Sequence, residues 1–250
     1  MIDLTGQTAL VTGGSRGIGR AAALLLARAG VDVALTFHTR ADEAEAAARE
    51  VRSVGRRAFV GGGDLADPEV ADRLLAGVRR EFGGLDIFVA NAGVWPPDEA
   101  TVKDMALARW RQTLAANLDS VFLSTRAALA LMRPGGRVII VSSTAGQRGE
   151  AYHSDYAATK GALIAFTKSL AIECAPHITV NCVAPGWVDT DMSLPAFTAD
   201  NRQRIEQTIP LRRIATSEDI AGPILFLCTS LSRHITGEVL NVNGGSVLCG

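Results

Sequence analysis

Tyr156 and Lys160 lie four residues apart in the Ala-rich run Ser154-Asp155-Tyr156-Ala157-Ala158-Thr159-Lys160. On a helix this spacing puts both side chains on one face, roughly 5 to 6 Å apart at Cβ, so they can act together on one bound group. A phenol titrates near 10 and is a poor acid at neutral pH, whereas a neighbouring ammonium favours the phenolate and brings its proton within use. The pairing makes Tyr156 a candidate general acid or base. By itself the pattern is weak, because a packed Tyr and a solvated Lys share this spacing in many helices.

Other elements must hold that pair in place. Val138, Ile139, Ile140 and Val141 form an apolar, largely β-branched run, predicting a strand that ends at Ser142 and Ser143. A glycine-containing loop and a helix to about Ala175 follow. A second chemical signal sits near the N-terminus, where Thr8 to Val11 predicts a strand. Thr12-Gly13-Gly14-Ser15-Arg16-Gly17-Ile18-Gly19 leads from it into an Ala- and Leu-rich helix closed by Gly30. Glycines there let the backbone turn tightly and approach a pyrophosphate, whose charge is favoured by free N–H groups at a helix start. The flanking strand and helix favour this dinucleotide reading over a plain tight turn.

The next apolar run, Val31 to Phe37, ends where an adenosine ribose would lie. An NAD-type site usually carries an acidic residue at that point; this chain has Phe37, His38, Thr39 and Arg40. With Arg16 in the glycine loop, Arg40 suits a 2′-phosphate, and hence NADP(H) more than NAD(H). Arg40 fits a solvated residue at a helix start nearly as well.

Ala41 to Val54 predicts a helix with a solvated charged face, and Arg57 to Val60 a third strand. Gly61-Gly62-Gly63-Asp64-Leu65 follows, placing the Asp64 carboxylate where it can meet an adenine amino group. Asp67 caps the next helix, with Pro68 at its first position. Leu85 to Ala90 is a fourth strand emptying into Asn91-Ala92-Gly93, whose small residues let a ring or ribose lie against backbone. Lys103 to Met132 reads as one long helical pattern with Asn117 inside it. That amide calls for a kink, a bound water or a nearby carbonyl. Arg133-Pro134-Gly135-Gly136 ends it before the fifth strand, and Thr179 to Ala184 is a sixth, closed by Pro185-Gly186. Residues 187–210 are weakly patterned, as a lid or substrate loop would be. A helix from Ser217 to Leu227 and a strand from Glu238 to Val242 complete the chain. The alternation predicts one α/β domain over residues 1–250, a Rossmann-type doubly wound parallel sheet of about seven strands with helices on both faces.

Composition narrows the partners. The 250 residues are 48% hydrophobic and 20% charged, with a net charge of −1, which gives no electrostatic reason to expect nucleic acid or an anionic membrane. No apolar run is long enough to cross a bilayer, and the start lacks the layout of a secretory signal. Cys174, Cys182, Cys228 and Cys249 fit no metal-type spacing and no disulfide framework, so no metal is expected and a reducing cytoplasm is. A small-molecule substrate is the expected partner.

Taken together, Thr12-Gly-x-x-x-Gly17-x-Gly19, Asp64, Asn91-Ala92-Gly93, Asn117, Ser143, Tyr156-x-x-x-Lys160, Pro185-Gly186 and Thr190 resemble the single-domain short-chain dehydrogenase/reductase family over nearly the whole chain. The family's catalytic Ser lies thirteen residues before its Tyr, which selects Ser143 over Ser142. The resemblance implies that Ser143 holds the substrate oxygen and that Tyr156 exchanges a proton with it. Lys160 would bond the nicotinamide ribose and depress the Tyr156 pKa, and Asn117 would hold a water relaying protons to Lys160. Gly13, Ser15, Arg16, Gly17, Ile18 and Gly19 would meet the pyrophosphate side of the cofactor. His38, Arg40, Asp64 and Leu65 would meet its adenosine end, and Asn91, Ala92 and Gly93 its middle. Pro185, Gly186, Val188 and Thr190 would contact the nicotinamide end.

The chain also resembles the 3-oxoacyl-acyl-carrier-protein reductase branch, at Val11-Thr-Gly-Gly-Ser-Arg-Gly-Ile-Gly-Arg20 and Ile235-Thr-Gly-Glu-Val-Leu-Asn-Val-Asn-Gly-Gly245. That branch uses basic residues to meet an acidic carrier protein. Here the comparable places hold Arg133 beside Pro134, and Pro176-His177, which weakens the carrier reading. The alternatives are an NAD-dependent sugar, polyol or steroid dehydrogenase and, outside enzymes, a nucleotide-binding regulator without turnover. Trp95 and Trp187 follow motifs that border the nicotinamide, so they are expected either to line an apolar substrate pocket or to pack under loops or at a subunit contact. His153 is expected at the surface or in a pocket wall. Family likeness also implies a homotetramer joined through the helices of Asn117 and Tyr156 and the C-terminal strand region.

Overall fold

The structure, a computed structural model, describes residues 2–248. Seven parallel strands form one sheet in the order β3-β2-β1-β4-β5-β6-β7. They are β1 (Thr8–Val11), β2 (Asp32–Phe37), β3 (Ala58–Gly62), β4 (Leu85–Ala90), β5 (Met132–Val141), β6 (Ile178–Pro185) and β7 (Val239–Val242). Strands covered on both faces need apolar side chains pointing both ways. In β4, Ile87 and Val89 enter the core under α1 (Gly17–Arg28), α2 (Ala41–Ser53) and α9 (Ser217–Leu227). Phe88 and Ala90 enter the opposite core, under α3 (Pro68–Phe82), α5 (Ser120–Leu129) and α7 (Ser154–Cys174). The expected doubly wound α/β sheet is therefore present, with its strand order reversing between β1 and β4. Ligand crevices form outside the carboxyl ends of strands at such a reversal.

Local chemistry sets the element ends. Gly30 follows α1 at φ +100, and the N–H groups of Gly30 and Val31 return to the carbonyls of Ala27 and Leu26, which closes the helix in a Schellman turn. Asp67 accepts from Glu69 N at 2.9 Å to start α3 behind Pro68. Thr216 and Asp219 form a reciprocal capping box on α9.

Three expected boundaries change. The pattern from Lys103 to Met132 is two helices, α4 (Leu107–Leu114) and α5, joined by a π-helical turn over Ala115–Asp119 that carries Asn117. Met132 already belongs to β5, and Arg133 to Gly136 bulge out between the pairings Leu85↔Met132 and Ile87↔Arg137. The bulge lets Arg133 reach Asp86 at 2.7 Å and Thr8 Oγ1 at 3.2 Å. Residues 187–210, expected to be irregular, contain α8 (Ala199–Thr208). Its apolar face is only a narrow stripe, Ile205 with Ile209 beyond, packed with Ile214, Trp187 and Phe197, so periodicity barely registers it. A short helix, α6 (Thr144–Arg148), also occupies the loop after Ser143. Cys249 lies outside the described residues. Among the described residues no helix is long and apolar enough to cross a membrane.

One buried ion pair ties α4 to the first turn of α7. Asp155 is fully buried, accepting from Arg109 Nε at 2.9 Å and from Thr113 Oγ1 at 2.9 Å. Burial alone would raise its carboxyl, but the Arg109 and Thr113 hydrogen bonds win and hold it below the usual range. A depressed carboxylate contributes stability above its unfolded pKa and loses it as pH falls through the folded value. Arg109→Ala should cost on the order of 3 kcal/mol at neutral pH by leaving a buried charge unpaired. In denaturant melts the difference from the parent should narrow as pH falls, because the variant's unpaired Asp155 takes up its proton before the parent's does; a constant difference would refute the pairing as its source.

Candidate active site

The glycine loop is built around the turn after β4. Thr12 Oγ1 accepts from the N–H groups of Asn91 and Ala92, each at 3.0 Å, and Asn91 Nδ2 donates back to Thr12 O at 2.9 Å. The loop lies so close that a Cβ on Gly19 would sit 2.3 Å from Gly13 O, and Gly13 itself is at φ +65. No side chain caps the start of α1 and no acidic residue occupies its first turn. Free N–H groups beside side-chain-free backbone suit a pyrophosphate. The structure thus fits the dinucleotide that the motif implies.

An open cleft of about 1160 Å³ runs from this loop toward β2 and β3. It is lined by the expected Gly13, Ser15, Arg16, Gly17 and Ile18, then His38, Arg40, Asp64 and Leu65, then Asn91, Ala92, Gly93 and Thr190. Gly19 lies beneath the loop rather than on the cleft wall. Arg40 pairs with Glu43 at 3.1 Å and Arg16 with Asp191 at 2.8 Å. All four of these side chains are exposed, so the pairs are weak and can be exchanged for a phosphate. Asp64 accepts from Ala66 N at 2.9 Å and is exposed to the cleft, whereas Leu65 is buried.

A second cavity of about 970 Å³ shares Ile18, Asn91, Gly93, Thr190 and Met192 with the first, so the two form one groove. Ser143, Tyr156 and Lys160 line it together. Ser143 sits at the N-cap of α6, where its Oγ accepts from Ala145 N at 3.1 Å. Ser142 is buried, and its hydroxyl donates to Lys160 O at 2.7 Å. Tyr156 and Lys160 project from successive turns of α7, with Nζ 5.7 Å from the phenol ring centroid. Lys160 Nζ donates to Val141 O at 3.0 Å.

The electrostatics differ from the expectation. Burial pushes the Tyr156 phenol up to about 12, against an opposing hydrogen bond from Ser143. Burial also pushes Lys160 down to about 8. Burial disfavours the charged form of each group and so opposes the acidification expected from Lys160. Asn117 bonds a nearby carbonyl, one of the partners expected for it. It is fully buried on the π turn, where its Oδ1 accepts from Val94 N at 2.7 Å and its Nδ2 donates to Val94 O at 2.9 Å. The side chain thus clamps the backbone after Gly93. It still lies beside the lysine, because a Cβ on Gly93 would meet Asn117 Oδ1 at 2.9 Å and Lys160 Nζ at 3.4 Å.

Pro185, Gly186, Val188 and Thr190 line the cavity from the end of β6. Gly186 is pressed against Asn243, 3.0 Å from where its Cβ would be, and Val188 pairs with Ala215. Trp95 and Trp187 both line the cavity, edge to face at 6.2 Å, and Phe197 continues the aromatic run 5.6 Å from Trp187. His153, expected at the surface or in the wall, is buried behind Trp95 in a stack of 4.5 Å. Sequence reasoning missed Glu150 and Arg148, which also line the cavity together with Met192 of the expected substrate loop. The only signal for the first two was their place between Ser143 and Tyr156.

The comparisons agree with this geometry. A family model described as enoyl-(acyl carrier protein) reductase matches residues 13–246. The chain is 40% identical to the 3-oxoacyl-[acyl-carrier-protein] reductase FabG of Aquifex aeolicus, over 98% of each chain. It is 36% identical to the L-rhamnose 1-dehydrogenase (NAD(P)(+)) of Azotobacter vinelandii, over 97% of each. A solved short-chain dehydrogenase from Burkholderia cenocepacia, in complex with NADP, superposes with a TM-score of 0.91 at 38% identity, covering 97% of this chain and 98% of that one. The chain belongs to the short-chain dehydrogenase/reductase family and is an NAD(P)-dependent oxidoreductase.

Proposed function

We propose that the protein is an NADP(H)-dependent carbonyl reductase that also runs as an alcohol dehydrogenase. The observation that carries this reading is that Ser143, Tyr156 and Lys160 line one cavity continuous with the glycine-lined cleft. When bound there, the cofactor supplies the hydride chemistry. The chain supplies the rest. Ser143 bonds the carbonyl oxygen, Tyr156 delivers a proton to it, and Lys160 holds positive charge beside the phenol. Asn117 holds the Val94 backbone and thereby shapes the floor. Residues 187–210 serve as the substrate loop, and their first part, Trp187 to Ser193, contributes to the cavity wall.

Preference for NADP(H) is supported by the two exchangeable arginines and by the absence of a carboxylate at the end of β2. The relatives named for acyl-carrier-protein substrates make a 3-oxoacyl thioester one option. The aromatic walls and the commitment of Arg133 to Asp86 favour a free ketone instead. We also infer a homotetramer, supported by exposed Leu107, Phe122 and Ile172 on α4, α5 and α7. Free thiols at Cys174, Cys182 and Cys228 support a cytoplasmic setting.

Tyr156→Phe should lower kcat for a ketone by about 10²- to 10⁴-fold in a spectrophotometric NADPH assay, since its proton moves in the transition state. Near-normal turnover would reject the role. Below about 8 Lys160 is charged in the free enzyme, so kcat/KM for reduction should decline as pH rises through that value; a flat profile would count against a working ammonium. Arg40→Ala should weaken NADPH binding about tenfold or more, as expected for a lost charge-assisted bond, with little effect on NADH. Fluorescence titration with both cofactors checks this, and equal losses would remove the 2′-phosphate assignment.

A further inference from the structure

Glu150 lies between the helix that Ser143 caps and the helix that carries Tyr156, and it lines the same cavity as both. Its Oε1 accepts the indole N–H of Trp95 at 3.1 Å. Trp95 is fixed in turn, by the His153 ring stacked 4.5 Å behind it at 19° and by the edge of Trp187 at 6.2 Å. The carboxyl group is therefore held in one orientation. Among the described residues no group donates to Oε2. The side chain is only 26% exposed. Burial pushes its carboxyl above the ordinary range, against the Trp95 hydrogen bond and the charges of His153 and Arg148. With Oε1 held by Trp95, Oε2 is the oxygen left for a donor entering the cavity that Glu150 lines.

We propose that Glu150 is a specificity-determining residue that selects carbonyl substrates bearing a hydrogen-bond donor, either a hydroxyl or a protonated amine. This rests on the reductase reading above and narrows its substrate class. A ligand that covers Oε2 without donating to it strips water from the carboxyl and returns nothing, so the site discriminates against the donor-free analogue. Trp95 and Trp187 supply apolar walls for the carbon framework, and their faces also favour a cation. His153 acts behind Trp95 as a support for that wall.

The test compares three ketones of equal size: a hydroxyketone, an aminoketone and their alkyl analogue. Glu150→Gln keeps an oxygen for the Trp95 N–H and puts an amide donor in place of Oε2. The parent enzyme should prefer one or both donor-bearing ketones about tenfold or more in kcat/KM. That ratio should collapse toward one in the variant, with the change lying in KM. A collapse for both assigns hydrogen bonding as the source, and a collapse for the aminoketone alone assigns charge. An unchanged ratio, or an equal loss on all three ketones, would overturn the proposal. Turnover of none of them by the parent would defeat the reductase reading itself. In that event the corresponding diol, amino alcohol and simple alcohol, titrated into NADP⁺-loaded protein by tryptophan quenching, still decide the role of Glu150: the same preference and collapse support it, and equal binding rejects it.

Discussion

Ser143 caps α6 and Tyr156 stands on α7, and the two line one cavity because α6 and α7 touch backbone to backbone. A Cβ on Gly146 would lie 2.4 Å from the carbonyl carbon of Lys160, so no other residue fits without moving one helix. Two hydrogen bonds stitch the same point to the end of β5: Ser142 Oγ to Lys160 O at 2.7 Å, and Lys160 Nζ to Val141 O at 3.0 Å. Strand, short helix and long helix are thereby locked at one place. Catalytic side chains on rigid elements held by close packing keep the sub-ångström placement that proton transfer requires.

The same packing buries Lys160 and half-buries Tyr156, which shifts the charge states of both. Burial moves both groups away from their charged forms, the phenol up to about 12 and the ammonium down to about 8, which leaves the phenol neutral and Lys160 still charged at neutral pH. The phenol is then a stable proton store in the free protein. Whatever brings positive charge or hydrogen bonds beside it lowers that value and turns the store into a usable acid. Asn117 contributes without touching the phenol, because its clamp on Val94 sets the turn against which Lys160 lies.

Much of this was legible in the sequence where a residue type has one structural use. The parallel sheet followed from apolar runs and glycine ends, and Leu85–Ala90 and Thr8–Val11 were read to the residue. Gly13, Gly17 and Gly19 announced a close backbone approach because glycine is costly elsewhere. What was not legible depends on contacts between distant segments. The π turn at Asn117 carries no distinct composition, and the bulge at Arg133 exists to reach Asp86 across the sheet. Gly146 drew no notice because its partner is fourteen residues away and the short helix that carries it was not expected. Glu150 looked like a loop residue until Trp95 was seen to hold it. The acidified phenol was inferred from charge alone, whereas burial acts on it in the opposite direction.

The chain has two tyrosines, so Tyr152→Phe leaves Tyr156 as the single phenol to titrate by tyrosinate absorbance. Its ionisation in the free protein should lie well above 10, toward about 12. It should fall by about one unit or more when NADP⁺ is added, and that fall should shrink when Lys160 is also replaced by Met. A phenol already ionising near neutrality in the free protein, or one that NADP⁺ leaves unmoved, would contradict the account.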